Sequence, residues 1–271
     1  MASHLVPNYD VKVLLKPSEV LEPNNRLKDA VRLSFSITSS TKHMNVQYLD
    51  TKQQDIYAEG WSLRIRKTED DNEFELTYKK RYPVDDAYSS STTEGNIDAA
   101  LKRAGQEGFD STTAYKPQVE VGYQKQTLSI SHDEKVSDTG FEGTDLPSAE
   151  GSRKYFACKA PEEFKHWSVD EWGTNHLNTS VVYGPVLAKR FKGTWDNFKL
   201  SIEMWPIRKS KIAASLEPIV EASFKTPDLK KALEGRANLV EFLRDRAWFL
   251  AEDSLKTKLI MERYGEIALN P

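Results

Sequence analysis

The sequence predicts an α+β fold in which a closed antiparallel eight-stranded β-barrel is flanked by helices. Apolar and polar residues alternate with a period of two over much of the first half of the chain, which is typical of strands. About eight such segments occur, enough to close a small barrel and so remove exposed sheet edges. Apolar residues near the C-terminal end instead recur every three or four positions, as in amphipathic helices.

The predicted strands are short and follow one another along the whole chain. They cover residues 9–15, 45–49, 61–67, 74–82, 119–130, 181–190, 198–205 and 219–224. Two stretches, 85–95 and 131–152, are rich in Ser, Thr, Gly and acidic residues, and this composition predicts loops.

Helices are predicted between these strands and at the end of the chain. The internal ones cover residues 25–35, 96–105 and 162–167. In the last part, Thr226 is predicted to be an N-cap, with Pro227 at the first helical position and Asp228 in the first turn. We therefore expect one domain over residues 1–271, with a helical C-terminal part at 226–264.

The charge balance argues against a nucleic acid or membrane partner. The 271 residues include 38 Lys and Arg against 41 Asp and Glu, so the net charge is -3 and any anion site must be local. Cys158 is the one cysteine, and residues 1–7 lack the apolar stretch of a secretory signal. We expect a cytoplasmic protein that is a monomer or a homodimer. The five histidines do not have the spacing of metal ligands.

One predicted strand places two guanidinium groups on the same side. Arg64 and Arg66 alternate with Leu63 and Ile65, so both arginines must project from one face. The following strand carries Lys79 in the same kind of alternation, after a short polar connection that predicts a hairpin. The hairpin thus gathers three cations on one face.

Clustered cations predict an anionic guest. Two like charges 8 Å apart repel by roughly 2 kcal/mol at an effective dielectric constant near 20. The alternative interpretation of the hairpin alone is a solvated outer face, on which Glu75 and other carboxylates are the partners of these cations.

Three segments in fixed order carry a family resemblance. The turn YLDT begins at Tyr48, WSLRIRK begins at Trp61 and FELTYKK begins at Phe74. Over residues 47–80 this order resembles the CYTH, or triphosphate tunnel metalloenzyme, superfamily. The resemblance implies an eight-stranded tunnel that holds a triphosphate, with Arg64, Arg66 and Lys79 on phosphate oxygens.

The same resemblance implies a metal site. The first strand of the family reads Glu-x-Glu-x-Lys, and here the matching positions are Asn8, Asp10 and Lys12. Lys12 would bind phosphate, and Asp10 would ligate Mg²⁺ or Mn²⁺. A later Glu-x-Glu pair is similar to Ser201-x-Glu203, where one carboxylate is missing, and Glu221 is the candidate to replace it. The basic stretch 189–192 receives no role.

Three functions fit these residues. The first is metal-dependent hydrolysis of a triphosphate, or of an organic di- or triphosphate, by a tunnel in which Arg64, Arg66, Lys12 and Lys79 act on the phosphates. The second is a repurposed tunnel enzyme, a cyclase, lyase or tailoring enzyme on a partly apolar substrate, whose cavity the six tryptophans would line. The third is a non-catalytic binder of polyphosphate or a phosphorylated ligand. In each case the partner is a small molecule, whose identity the sequence does not give.

Overall fold

Strand alternation produces one continuous β-sheet at the centre of the molecule. The computed structural model describes residues 5–38, 40–84, 92–253 and 256–265. The strands are β1 (Asn8–Leu15), β2 (Lys42–Asp50), β3 (Trp61–Thr68), β4 (Glu73–Val84), β5 (Lys116–Val121), β6 (Gln126–Ser137), β7 (Val181–Trp195), β8 (Phe198–Arg208), β9 (Leu216–Thr226) and β10 (Phe249–Leu250).

Nine of these strands close into a ring. The strand order is β1-β5-β6-β4-β3-β2-β7-β8-β9, and β9 pairs with β1 to complete it, while β10 pairs with the last two residues of β1. The predicted barrel with flanking helices is therefore confirmed. Two details differ from the prediction: the ring has nine strands instead of eight, and β1 and β5 are parallel.

The additional strand comes from a turn that the alternation did not reveal. The stretch 119–130, predicted as one strand, is divided between β5 and β6 by residues 122–125. β6 then continues to Ser137, so the predicted loop 131–152 begins as a strand. The second half of β6 is polar on both faces, and its pairing with β4 identifies it where periodicity does not.

Helices connect and cover the strands. They are α1 (Pro17–Val20), α2 (Asp29–Ser34), α3 (Asp55–Ala58), α4 (Thr93–Gln106), α5 (Ala149–Lys159), α6 (Glu162–Lys165), α7 (Trp172–Thr179), α8 (Leu229–Asp245) and α9 (Lys256–Tyr264). The predicted helices 25–35, 96–105 and 162–167 correspond to α2, α4 and α6. Most of the predicted loop 85–95 lies outside the described residues.

The start of α8 corrects one predicted cap. The N-cap is Asp228, whose carboxylate accepts a hydrogen bond from the Lys231 backbone N–H at 3.0 Å. Thr226 instead accepts from the Asp228 backbone N–H at 3.3 Å. The carboxylate therefore takes the capping position, two residues after the predicted one, and Pro227 precedes the helix.

The buried apolar residues form two clusters. The larger one includes the apolar stripe of α8, for example Leu239 and Leu243, and residues of β1 such as Val11. The smaller one joins Ile260 and Met261 of α9 to apolar residues of β2, β7 and β8. Within the described residues, no helix is both long and apolar enough to cross a bilayer.

Candidate functional site

The ring of strands encloses a polar cavity. Its volume is about 620 Å³, and each of the nine ring strands contributes at least one side chain to its lining. Nine lining side chains are cationic and six are carboxylates. A cavity in which basic groups outnumber carboxylates by three attracts anions, because its low-dielectric walls screen the field less than water does.

All seven residues predicted from the sequence lie in this cavity. They are Asp10, Lys12, Arg64, Arg66, Lys79, Glu203 and Glu221. The ring brings them together from β1, β3, β4, β8 and β9 because their side chains share the inward face of the pleat. Their chemical roles stay predictions.

Glu75 pairs with both arginines of the hairpin. Arg64 donates to one carboxylate oxygen of Glu75 at 2.8 Å, and Arg66 donates to the other at 2.5 Å. Burial favours the neutral acid, but the two guanidinium groups outweigh burial and hold the pKa of Glu75 below its ordinary value. One of the two positive charges is thus neutralised inside the protein.

Glu120 has a similar place between two lysines. Its carboxylate lies 3.2 Å from the ammonium of Lys12 and 3.5 Å from that of Lys79. Burial lowers the pKa of Lys79 to about 7, since Glu120 only partly compensates for the lost hydration. The pKa of Lys12 is raised despite burial, because Asp10, 3.5 Å away, adds a second negative charge.

Arg81 is a lining cation whose direct partners are hydroxyl groups. It donates to the hydroxyl of Ser62 at 2.7 Å and to that of Thr257 at 3.2 Å, and it has no carboxylate partner in the described part of the chain. The Nε–H groups of Arg64, Arg66 and Arg81 are buried and have no acceptor among the described residues.

The opposite wall holds two carboxylates side by side. Glu203 on β8 and Glu221 on β9 are paired across the strands. Between them lies the ammonium of Lys256, 2.6 Å from Glu203 and 2.8 Å from Glu221. Burial would raise the pKa of Glu203, but Lys256 and Arg190 hold it well below its ordinary value. The pKa of Glu221 is raised because burial prevails there.

The predicted metal ligands do not fit a divalent ion in this arrangement. Lys256 binds Glu203 and Glu221, and Asp10 accepts a hydrogen bond from Gln118 at 3.0 Å. Mg²⁺ and Mn²⁺ need several oxygen ligands that converge on one point, whereas the nitrogen of Lys256 lies between Glu203 and Glu221. No step is therefore assigned to a metal.

An acidic group with ligand atoms close together does occur elsewhere. Among the described residues, the one set of three or more His, Cys, Asp or Glu side chains with ligand atoms within 4.8 Å of one another is His166, Asp170 and Glu171. All three are exposed and none lines the cavity. This set is separate from the predicted ligands.

The sequence prediction missed several lining residues. Arg81 follows Lys79 by two positions on β4, so extending the alternation would have found it. Arg190 belongs to the basic stretch 189–192, to which no role was given, and it donates to Glu203 at 2.8 Å. Lys256 begins a helix, and no pattern in its neighbourhood connects it to the strands.

Of the six tryptophans, Trp205 alone lines the cavity. Trp61 is fully buried among aromatic rings outside it. None of the four described histidines lines the cavity, and His4 lies outside the described residues. The wall is thus dominated by charge, with little aromatic surface.

No family model matches this sequence. No curated protein matches it either. Comparison with solved structures finds similar folds at low identity. HpAC1 from Hippeastrum, described as a candidate adenylyl cyclase with a dominant triphosphatase activity, is 12% identical, with a TM-score of 0.54 and 93% of each chain covered.

Two other solved structures are similar over most of their length. A candidate adenylate cyclase from Bacillus halodurans is 12% identical, with a TM-score of 0.48, and 95% of this chain and 98% of that one are covered. A protein from Pyrococcus horikoshii is 14% identical, with a TM-score of 0.45 and coverage of 93% and 98%. The similarity to HpAC1 supports the predicted fold, a β-barrel with flanking helices.

Proposed function

We propose that this protein is an enzyme that binds a small molecule carrying a di- or triphosphate chain in its tunnel and hydrolyses a phosphoanhydride bond. One observation carries the proposal: a cavity of about 620 Å³ is lined by nine cations and six carboxylates.

The cations are of the types that bind phosphate oxygens in proteins. Arg64, Arg66 and Arg81 offer planar forks to non-bridging oxygens, and Lys12 and Lys79 offer point charges. A phosphate chain carries several negative charges along its length, so it can contact cations from several strands at once. A singly charged anion would leave most of these contacts unmade.

Hydrolysis is the reaction that best fits such a site. Phosphoryl transfer requires little covalent chemistry from the protein and depends mainly on positioning and charge neutralisation. The dominant triphosphatase activity described for HpAC1, which shares the fold, supports the same reaction. The predicted Mg²⁺ or Mn²⁺ is not included in the proposal, because Lys256 lies between two of its predicted ligands.

A second candidate function is non-catalytic binding of polyphosphate or a phosphorylated ligand. The same contact of Lys256 with Glu203 and Glu221 favours it, because these carboxylates are no longer available to hold a metal that activates water. A cavity remodelled for a partly apolar substrate has less support, since Trp205 is the one tryptophan in the lining.

Parallel assays of turnover and binding separate these functions. Orthophosphate release from tripolyphosphate and from nucleoside triphosphates is measured in Mg²⁺, in Mn²⁺ and in EDTA, and calorimetry measures the affinity for tripolyphosphate. Turnover supports the hydrolase, and tight binding without turnover supports the binder. The absence of both turnover and binding would overturn both candidate functions.

A matched variant distinguishes the activity of the tunnel from that of contaminating phosphatases. Arg64→Gln combined with Arg66→Gln removes two phosphate donors from the tunnel and should reduce both binding and turnover. Activity that survives in this variant at the wild-type rate does not come from the tunnel.

A further inference from the structure

Lys256 is the one lining cation discussed above that does not come from a strand. It is the first residue of α9, and 15% of its side chain is exposed. Its ammonium contacts Glu203 at 2.6 Å and Glu221 at 2.8 Å, and it lies 4.9 Å from the centre of the Trp205 ring. A buried lysine with two carboxylates and an aromatic face is a built cation site.

Glu203 has both of its oxygens occupied in this arrangement. One oxygen accepts from Arg190 at 2.6 Å, and the other accepts from the Trp205 indole at 2.9 Å and from Lys256. A divalent ion at this position would have to displace Lys256 and compete with a guanidinium and an indole for the same oxygens. The carboxylate is therefore organised around protein donors.

The helix that carries Lys256 is held on several sides. Asp253, three residues earlier, accepts backbone hydrogen bonds from Tyr123, Gln124 and Lys125 at 2.6 to 3.0 Å. Further along α9, the Met261 carbonyl accepts from the Gln54 side chain at 2.8 Å. These contacts hold the chain three residues before Lys256 and again five residues after it.

We infer that Lys256 is a tethered cation that takes the place of a divalent metal between Glu203 and Glu221, so that the tunnel binds polyphosphate without metal. The inference rests on the proposed function. An ammonium has three N–H donors; two serve the carboxylates, and the third, which has no acceptor among the described residues, is left for a phosphate oxygen. Lys256 and Arg190 together balance the two negative charges, which would otherwise repel the phosphate chain.

Two measurements test this inference, and neither requires turnover. Calorimetry in EDTA gives the affinity for tripolyphosphate, and EPR of free Mn²⁺ gives metal binding by the protein alone. Wild type should bind tripolyphosphate in EDTA and should bind no Mn²⁺ between Glu203 and Glu221. Lys256→Met should lose affinity for tripolyphosphate on the order of 10- to 100-fold, the effect of one charged hydrogen bond.

The same variant should gain a metal site. With the ammonium removed, Glu203 and Glu221 are free to bind Mn²⁺, and Lys256→Met should bind one additional Mn²⁺ per chain. Lys258→Met is the matched control, because Lys258 is an exposed lysine of the same helix paired with Glu262. It should behave as wild type. Any Mn²⁺ bound at the exposed group around His166 is common to all variants and cancels in the comparison.

A second variant covers the case in which Lys256→Met fails to fold. Lys256→Met combined with Glu221→Gln removes one positive and one negative charge together, so it should fold, lose affinity for tripolyphosphate and gain no Mn²⁺ site. Mn²⁺ binding by wild type that disappears in Glu203→Gln would overturn the inference. Wild-type affinity of the folded Lys256 variants for tripolyphosphate in EDTA would also overturn it.

Failure of the proposed function gives a different result. If wild type binds no tripolyphosphate under any condition, the proposed function is wrong. The gain of a Mn²⁺ site in Lys256→Met still tests the position of the tethered cation independently.

Discussion

Glu75 lies between Arg64 and Arg66 and binds each of them through a different oxygen. Part of the repulsion expected from clustered cations is therefore relieved by a carboxylate of the protein. The same holds for Glu120 between Lys12 and Lys79. The positive charge that remains for a guest is concentrated where such pairing is missing, as at Arg81.

Arg81→Met should weaken tripolyphosphate binding with little loss of stability. Arg81 contacts two hydroxyl groups and no carboxylate in the described residues, so its removal leaves no unpaired charge. We expect affinity to fall on the order of 10- to 100-fold, as for loss of one or two charge-assisted hydrogen bonds. Calorimetry and denaturant unfolding measure the two effects.

The exposed lysine Lys230 provides the control for Arg81. Lys230→Met removes one positive charge from α8, outside the cavity, and should leave the affinity unchanged. Equal losses of affinity in Arg81→Met and Lys230→Met would indicate that the overall charge of the protein attracts the anion and that Arg81 does not belong to a local site.

The pH dependence of anion binding should depend on Lys79. Its pKa is lowered to about 7 by burial, with Glu120 opposing and Arg81, Lys12 and Arg64 reinforcing the shift. Polyphosphate favours the charged form, so binding takes up a proton above pH 7 and affinity falls as pH rises from 7 to 9. Lys79→Arg keeps its charge in this range and should lose this part of the pH dependence.

The same shift has a defined sign for stability. The pKa of Lys79 is lower in the folded than in the unfolded chain, so between about pH 7 and pH 10 the unfolded chain binds more protons. The contribution of Lys79 to the free energy of unfolding should therefore rise with pH across this window. Denaturant unfolding of wild type and of Lys79→Met at pH 7 and pH 9 measures this contribution. If the free energy of unfolding changes with pH equally in both proteins, the shift in the pKa of Lys79 is contradicted.

At the scale of elements, the turn between β5 and β6 binds Asp253, three residues before the first residue of α9. Asp253 accepts three backbone hydrogen bonds from this turn, and Gly122 lies directly beneath its carboxylate. A Cβ atom at Gly122 would come within 2.3 Å of an Asp253 oxygen and 2.9 Å of the Lys125 carbonyl. This lack of space for a Cβ atom explains why position 122 is occupied by glycine.

Gly122→Ala should therefore destabilise the protein and displace α9. Loss of the hydrogen bonds of Asp253 should lower the free energy of unfolding by about 1 to 3 kcal/mol. Affinity for tripolyphosphate should also fall, because Lys256 would be displaced. Gly105→Ala is the control: this helical glycine has nothing within 4 Å of its added Cβ, and the substitution should stabilise by about 0.5 to 1 kcal/mol. A neutral Gly122→Ala would contradict the coupling.

At the scale of the whole molecule, the cavity joins every strand of the ring. A ligand that contacts several strands binds only the closed ring, so it should stabilise the fold by mass action. At a free tripolyphosphate concentration a hundredfold above Kd, the stabilisation is about 2.7 kcal/mol. For a chain of this length this corresponds to a rise in Tm of about 5 °C.

Thermal unfolding with and without tripolyphosphate in EDTA measures this effect. The rise should shrink as NaCl is added, because salt screens the charges that attract the ligand. Sulfate at the same ionic strength is the control and should produce a smaller rise, since one sulfate reaches fewer cations. Equal shifts for both anions would exclude a site shaped for a phosphate chain.

Much of the barrel and of its basic face follows from local patterns. The alternation of Arg64 and Arg66 with Leu63 and Ile65 predicts which side chains share a face, because the pleat has a period of two residues. Extending the alternation past Lys79 would have added Arg81. The turn within 119–130 and the polar half of β6 were not predictable in this way, since neither changes the local periodicity decisively.

The sequence by itself determined the strand composition, the shared face of the hairpin cations and the seven residues that converge on the cavity. The tertiary structure decided what each of them pairs with. Glu120 and Lys256 are brought to their partners by strand register and helix packing over long distances in the chain. Local sequence patterns do not predict contacts between residues that are far apart in the chain. The position of Lys256 between Glu203 and Glu221 is therefore known only from the tertiary structure.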